Sequence, residues 1–406
     1  MHPSFSSGPR AAVESLGASR IREVANAGMG RADVLPFWFG EPDQVTPAFI
    51  RDAAKAALDA GDTFYTHNLG VPALRETLAA YSSQLHRATD MNQIAVTSSG
   101  VSALMLVAQL LLNPGDRVVA VTPLWPNLLE IPKILGAEVA TVALHFNRER
   151  TQPVWELDIE RLLAALTPKT KILLLNSPNN PTGWTITRAQ QQILLAHCRR
   201  HGIWLLADDV YERLVYDQPA GALHCAPSFL DLAEADERVV SANSFSKAWM
   251  MTGWRLGWLQ VPPLLMEGLG KLIEYNTSCA PGFLQRAGII AIEQGEENLR
   301  QTVARYQTAR DFLVEQLASP RFREAGIIAP RPQGAMYLFF RVEGETDSLK
   351  LCKRLVAEAG LGLAPGSAFG AEGEGAIRWC FAHSVDKLQQ GLDRLAHFLG
   401  QRQILQ

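Results

Sequence analysis

An excess of charge of one sign is the first thing this chain lacks. Its 406 residues hold 38 Lys and Arg against 41 Asp and Glu, a net of −3, with no block of five basic residues. That balance excludes a nucleic acid or an anionic membrane surface as the main partner. Long apolar runs are missing too. The longest, 103–112, is interrupted by Gln109 and is far shorter than the ~20 residues of a bilayer span. The first ten residues show no basic-then-apolar leader, so the expected location is cytoplasmic. Cysteine is sparse: Cys198, Cys225, Cys279, Cys352 and Cys380 are odd in number, scattered and never in C-x-x-C, which reads as reduced thiols. Nucleotide and hydrolase signatures are absent as well. Gly28-Met29-Gly30 lacks the third glycine of a dinucleotide loop, and neither G-x-x-x-x-G-K-[ST] nor G-x-S-x-G occurs.

What is present is an apolar, punctuated chain. With 47% hydrophobic and 19% charged residues it can bury one large core or two, and its length suggests two to three domains. Helical spacing over 48–60 stops at Gly61, and a second helix fits 71–86. Short apolar runs at 94–97, 118–121, 171–175 and 203–207 then alternate with helical patterns at 101–112 and 187–201. Such alternation predicts β-α-β units around a mostly parallel sheet covered on both faces. Beyond about residue 285 a long helical segment (296–318), strands near 337–340 and 377–381, and helices over 347–359 and 384–399 predict a smaller α/β unit.

Four polar clusters fall at the carboxyl ends of predicted strands, where open parallel sheets bind ligands. Asn176 to Gly183 (N-S-P-N-N-P-T-G) is a rigid turn, and read alone it is equally just a turn. Asp208, in Ala207-Asp208-Asp209-Val210-Tyr211, places a carboxylate at a buried strand end, where it needs a cation, a donor or a helix to cap. No His or Cys ligand pattern lies nearby, so no metal is expected. Ser244, Ser246, Lys247 and Arg255 crowd into twelve residues of mostly apolar sequence, and an amine in such surroundings becomes a nucleophile. Ser99-Gly100-Val101 opens a helix whose free N–H groups suit a phosphate.

In combination these clusters are specific. The order N-N-P-T-G, then A-D-x-x-Y, then S-x-S-K with an arginine eight residues on, resembles the class I/II pyridoxal-phosphate aminotransferases of fold type I, the aspartate aminotransferase-like enzymes. Gly40-Glu41-Pro42-Asp43, Tyr65-Thr66 with Gly70 and Leu74-Arg75, Pro332-x-Gly334-Ala335-Met336-Tyr337, and Arg378-Trp379-Cys380-Phe381-Ala382 extend the likeness over nearly the whole chain. The resemblance implies a three-layer α/β/α large domain with a mostly parallel sheet, plus a smaller α/β domain formed from both chain ends. The boundaries expected are 1–45 for an N-terminal arm and part of the small domain, 46–285 for the large domain, and 286–406 for the rest of the small domain.

The same resemblance assigns the site. Lys247 would carry pyridoxal 5'-phosphate as an aldimine and, once released, move a proton. Asp208 would face the ring nitrogen, Asn180 and Tyr211 the phenolic oxygen, and Trp125 the ring face. Ser244, Ser246, Arg255 and the amides of Ser99, Gly100 and Val101 would hold the phosphate. Tyr65 would reach it from the partner of a homodimer. Arg378 would bind the substrate carboxylate with help from the Gly40 N–H. The reaction implied is a ping-pong exchange of an amino group between an α-amino acid and a 2-oxo acid. A C–S lyase on the same fold is the alternative. A non-catalytic ligand sensor would need an N-terminal DNA-binding domain, and only about 45 residues precede the first large-domain helix.

Substrate is less legible. Relatives selective for dicarboxylates often carry an arginine four residues before an S-N-P-P element, and Glu274 stands there in this chain. With Phe37, Trp38, Phe39 and Trp125 expected near the pocket, the expectation leans to a neutral, aromatic or alanine-like donor over aspartate.

Overall fold

Seven apolar segments meet in one sheet because each can be buried on both faces. In the computed structural model, which describes residues 8–219 and 222–404, these are β1 (Ile94–Thr97), β2 (Arg117–Thr122), β3 (Glu138–Ala143), β4 (Thr170–Asn176), β5 (Trp204–Asp208), β6 (Val239–Ser244) and β7 (Gly257–Gln260). Residues 1–7 and 405–406 of the expected N-terminal arm and small domain lie outside the described residues. The order across the sheet is β1-β7-β6-β5-β4-β2-β3. Only β7 runs against its neighbours, so the other six strands end on the same edge. Along β4, Ile172 and Leu174 pack into one apolar cluster while Leu173 and Leu175 pack into another, and Leu206 and Leu205 of β5 divide the same way. That two-sided burial is why these strands read as continuous apolar runs.

The crossover helices start and stop on local chemistry. Thr187 and Gln190 form a reciprocal capping box at the start of Arg188–His201, and Gly202 ends it in the left-handed region at φ 66°. The helix Gly100–Leu111 begins at Ser99, whose Oγ accepts from Ser102 N at 3.0 Å.

A second sheet of four antiparallel strands lies further along: β8 (Ile327–Ile328), β9 (Tyr337–Val342), β10 (Ala364–Pro365) and β11 (Ala376–Cys380), in the order β8-β9-β11-β10. The N-terminal helix Arg20–Gly28 packs on the helix Ser348–Ala359, and Leu35–Pro36 pairs in parallel with Leu361–Gly362. Val24, Phe37, Val356 and Leu361 accordingly share one core. Among the described residues no helix is long and apolar enough to cross a membrane.

Candidate active site

The carboxyl edge of the large sheet opens into a cavity of about 680 Å³. At one end of it two glycines set the geometry. A Cβ on Gly257 would stand 2.6 Å from Gly100 N, and one on Gly100 would stand 3.1 Å from the Ser244 Cβ. Bare backbone at both positions lets the start of the helix Gly100–Leu111 press against the loop that follows β6. Ser99 is held at φ 146°, a region nearly reserved for glycine, which costs about 1–3 kcal/mol. In the facing loop Ser244 Oγ donates to Ser246 Oγ at 2.9 Å and accepts from Ser246 N at 3.1 Å. Arg255, in the left-handed region at φ 55°, donates from Nη1 to Thr252 O at 2.6 Å. Helix-end amides, two hydroxyls and a guanidinium therefore converge on one spot, the donor set a phosphate dianion requires.

Asp208 lies further in, at the end of β5. Its carbonyl accepts from Asn176 Nδ2 at 3.0 Å, and Asn176 Oδ1 in turn accepts from Asn180 N at 2.7 Å. Burial pushes the Asp208 carboxyl up to about 7, offset in part by the Val210 N–H and the Lys247 charge. Burial likewise lowers Lys247 to about 8, and its Nζ donates to Gly40 O at 2.6 Å. The Tyr211 hydroxyl meets that of Tyr337 at 2.7 Å, with the rings edge to face at 5.7 Å. Trp125 N donates to Asn180 O at 3.0 Å, so the aromatic starting the helix Pro126–Ile134 is tied to the Asn180 turn.

Arg378 of β11 is buried. Its guanidinium is clasped between the rings of Tyr337 at 4.4 Å and Phe369 at 4.8 Å. Nη1 donates to Asn180 Oδ1 at 2.9 Å, Nη2 donates to the Trp38 carbonyl, and the buried Nε has no partner among the described residues. These bonds go to an amide and a carbonyl, so the buried charge still calls for an anion.

The structure brings Gly40, Gly100, Val101, Trp125, Asn180, Asp208, Tyr211, Ser244, Ser246, Lys247, Arg255 and Arg378 to this one cavity. Two expected residues are not on its wall. Ser99 spends its side chain on its own helix, and Tyr65 stands on the surface, 89% exposed. Asp209, next to Asp208, is a buried structural group and accepts from Ser241 Oγ at 2.6 Å. Phe37 and Trp38 belong to the core, so of the four aromatics expected near the pocket only Phe39 and Trp125 line the cavity. Sequence reasoning missed Tyr337, Arg22 and Glu41 as cavity residues. Tyr337 was visible inside the Pro332–Tyr337 motif, but nothing local shows that one phenol touches both Tyr211 and Arg378.

A part-buried lysine with a lowered proton affinity, a carboxylate at a strand end and an anion cradle, all facing one space, are what a pyridoxal-phosphate enzyme needs. The residues fit that cofactor: the cradle exists only because Gly100 and Gly257 carry no Cβ. Comparison with known proteins agrees. The family model for aminotransferase class I and II matches residues 32–395. An aspartate aminotransferase of Thermotoga maritima is 34% identical over 372 residues, 91% of this chain and 92% of the relative. Aromatic-amino-acid aminotransferase 2 of Thermococcus litoralis is 30% identical, covering 97% of this chain and 98% of the relative. A crystal structure of aspartate aminotransferase from Thermotoga maritima matches with a TM-score of 0.86 at 31% identity, covering 97% and 100% of the two chains. The chain belongs to the class I and II aminotransferase family and is a pyridoxal-phosphate-dependent aminotransferase.

Proposed function

We propose that the chain exchanges an amino group between an α-amino acid and a 2-oxo acid by a ping-pong route, with Lys247 as the residue that carries the cofactor and moves the proton. The observation that carries this reading is that Lys247 Nζ and the buried Arg378 face the same cavity. Bound pyridoxal phosphate supplies a carbonyl for amines and a ring that withdraws electrons from Cα. The chain does the rest. Arg378, with the Gly40 N–H, binds the α-carboxylate and so orients the Cα proton toward Lys247 Nζ, which takes and returns it. Asp208 keeps a negative charge against the ring nitrogen. Asn180 and Tyr211 donate to the phenolic oxygen, and Tyr337 holds the Tyr211 phenol while lying against Arg378. Trp125 covers the ring face. Ser244, Ser246, Arg255 and the amides of Gly100 and Val101 would take the phosphate.

The test is to mix holoenzyme with amino donor alone. A transaminase releases one equivalent of 2-oxo acid per site and stops. Continued release of ammonia with pyruvate would show the C–S lyase alternative instead.

The reading extends to the division of the chain, with 46–285 as the cofactor domain and 1–45 joined to 286–406 as the smaller one. It also includes a cytoplasmic location, which the five free thiols fit, and a homodimer in which Tyr65 completes the phosphate site of the partner. Phe64, Tyr65 and Tyr275 support the dimer, being 81%, 89% and 90% exposed, since aromatics so bare ordinarily cover an interface. Co-expressed Lys247→Ala and Tyr65→Ala chains should form mixed dimers with one intact site, so activity reappears that neither variant shows alone. Failure to complement, with mixed dimers demonstrated, sinks the shared-site reading.

A further inference from the structure

His86, Glu212 and Cys225 meet behind the turn that carries Tyr211, and none of them lines the cofactor cavity. An imidazole nitrogen, a carboxylate oxygen and a thiol sulfur there all lie within 4.8 Å of one another. His86 closes the helix Pro72–Leu85, Glu212 follows Tyr211 directly, and Cys225 stands 139 residues from His86, so no spacing in the sequence shows the group. The imidazole is oriented through its other nitrogen. His86 Nδ1 lies 2.7 Å from Asp231 Oδ1, while Asp231 Oδ2 accepts from Ser228 N at 3.2 Å and from Arg188. In the neutral ring the Nδ1 proton goes to Asp231, which leaves the Nε2 lone pair facing Glu212 Oε2 at 3.3 Å and Cys225 Sγ at 4.0 Å. A zinc-type ion takes nitrogen and oxygen at about 2.0–2.1 Å and sulfur at about 2.3 Å, which at the tetrahedral angle sets N and O about 3.3 Å apart and N and S about 3.6 Å apart. The first spacing is met, and the second is wider by a few tenths of an ångström. Charge points the same way. The His86 and Glu212 side chains are 2% and 6% exposed. Among the described residues His86 is the one ionic partner of Glu212, because the adjacent Arg213 spends its guanidinium on Glu296, Tyr81 and the His224 carbonyl. A protonated imidazole would divide a single charge between Glu212 and Asp231, whereas a divalent ion supplies two.

We propose that His86 Nε2, the Glu212 carboxylate and the Cys225 sulfur bind one divalent ion of the zinc type, with Asp231 orienting the imidazole and water in the fourth position. The Cys225 thiol gives up its proton as the ion binds. A mix of nitrogen, oxygen and sulfur selects zinc over magnesium or calcium, which take oxygen. The ion is a structural clip: it ties the end of the helix Pro72–Leu85 and the segment around Cys225 to the back of the turn that presents Asp208 and Tyr211, and it touches no reacting group.

Metal binding to tag-free holoenzyme, first dialysed against a chelator, tests this without turnover. Titrated calorimetrically, Zn²⁺ should bind as one equivalent per chain, and it should raise Tm. Co²⁺ in its place should give the intense visible bands of a tetrahedral ion, to the red of the cofactor absorbance. Cys225→Ser and His86→Gln should each weaken Zn²⁺ binding by at least about 100-fold and remove the rise in Tm. Asp231→Asn, which takes away the carboxylate behind the ligating ring and no ligand, should weaken it by roughly 10- to 100-fold. Retention of the cofactor absorbance shows that each variant is folded. Wild-type holoenzyme that takes up no equivalent of Zn²⁺ overturns the proposal and leaves His86 as the cation of a buried ion pair. That outcome needs no variant, so it stands even where a substitution unfolds the chain. Zn²⁺ bound as tightly by Cys225→Ser and His86→Gln as by the wild type overturns the proposal equally, since the ion then sits elsewhere.

Discussion

Lys247→Ala should lower kcat by at least about 10⁴-fold and remove the visible absorbance of the covalently held cofactor, the largest effect of any single change here. The amine is set up by its surroundings. Burial brings its proton affinity down to about 8, so a useful fraction of Nζ is neutral at physiological pH. The Gly40 carbonyl holds it in place at 2.6 Å. A Cβ at position 40 would stand 1.9 Å from the Tyr337 hydroxyl and 3.2 Å from Nζ, so only glycine lets that carbonyl approach. Lys247→Arg should be as inactive as the alanine variant, since a guanidinium keeps its proton and forms no such bond. The sign of the pH dependence follows: capture of added cofactor by apoprotein should slow as pH falls below about 8, because the protonated amine does not react. A variant at position 247 that keeps the covalent chromophore would overturn the assignment.

How much of this was legible in the sequence depended on how local each signal was. β4 and β5 stood out because both faces are buried and the runs 172–175 and 204–207 are apolar up to the polar strand end. β3 did not, since it lies at the sheet edge and only Val142 is fully buried. β6 and β7 were missed for a related reason. β6 runs Val-Val-Ser-Ala-Asn-Ser and β7 opens on Gly257, compositions that read as loop although both strands are buried throughout. Those same residues form the anion cradle, so the site hid the strands that carry it. The helix Pro126–Ile134 was masked by Pro132 in its interior.

The site divides in the same way. Asn180, Asp208, Tyr211, Ser244, Lys247 and Arg255 each sit within a few residues of a strand end in one sheet, so the spacing of motifs places them. Tyr337 and Arg22 come from the second sheet and the N-terminal helix. Tyr337 lies 126 residues from the Tyr211 it bonds. Asp209 is a core group beside Glu212 and His86, a placement that nothing local in the sequence decides.

Asp208→Asn should lower kcat by about 10³-fold while leaving the cofactor attached through Lys247. The substitution is chosen because asparagine keeps the shape and can still accept the Val210 N–H, so a carboxylate that merely capped the turn would be replaced at little cost. Only the negative charge is lost, and with it the group that favours a proton on the ring nitrogen. Wild-type activity in Asp208→Asn would therefore overturn the assignment. Stability gives a second, independent reading. The folded chain holds the Asp208 proton up to about pH 7, whereas the unfolded chain releases it near 3.8. Between those values the folded state binds more protons, so apoprotein stability should decline as pH rises through that window and level off above it. Asp209, also pushed up to about 7 by burial, adds a decline of its own. Thermal unfolding of the apo Asp208→Asn variant should thus show a shallower decline than wild type, not a flat one. In the role proposed for Asp208, bound cofactor would bring a cationic ring nitrogen to it and would draw its proton affinity back toward that of the unfolded chain. The pH scan of wild-type holoenzyme should accordingly resemble that of the apo variant, because one supplies the missing cation and the other removes the anion that lacked it.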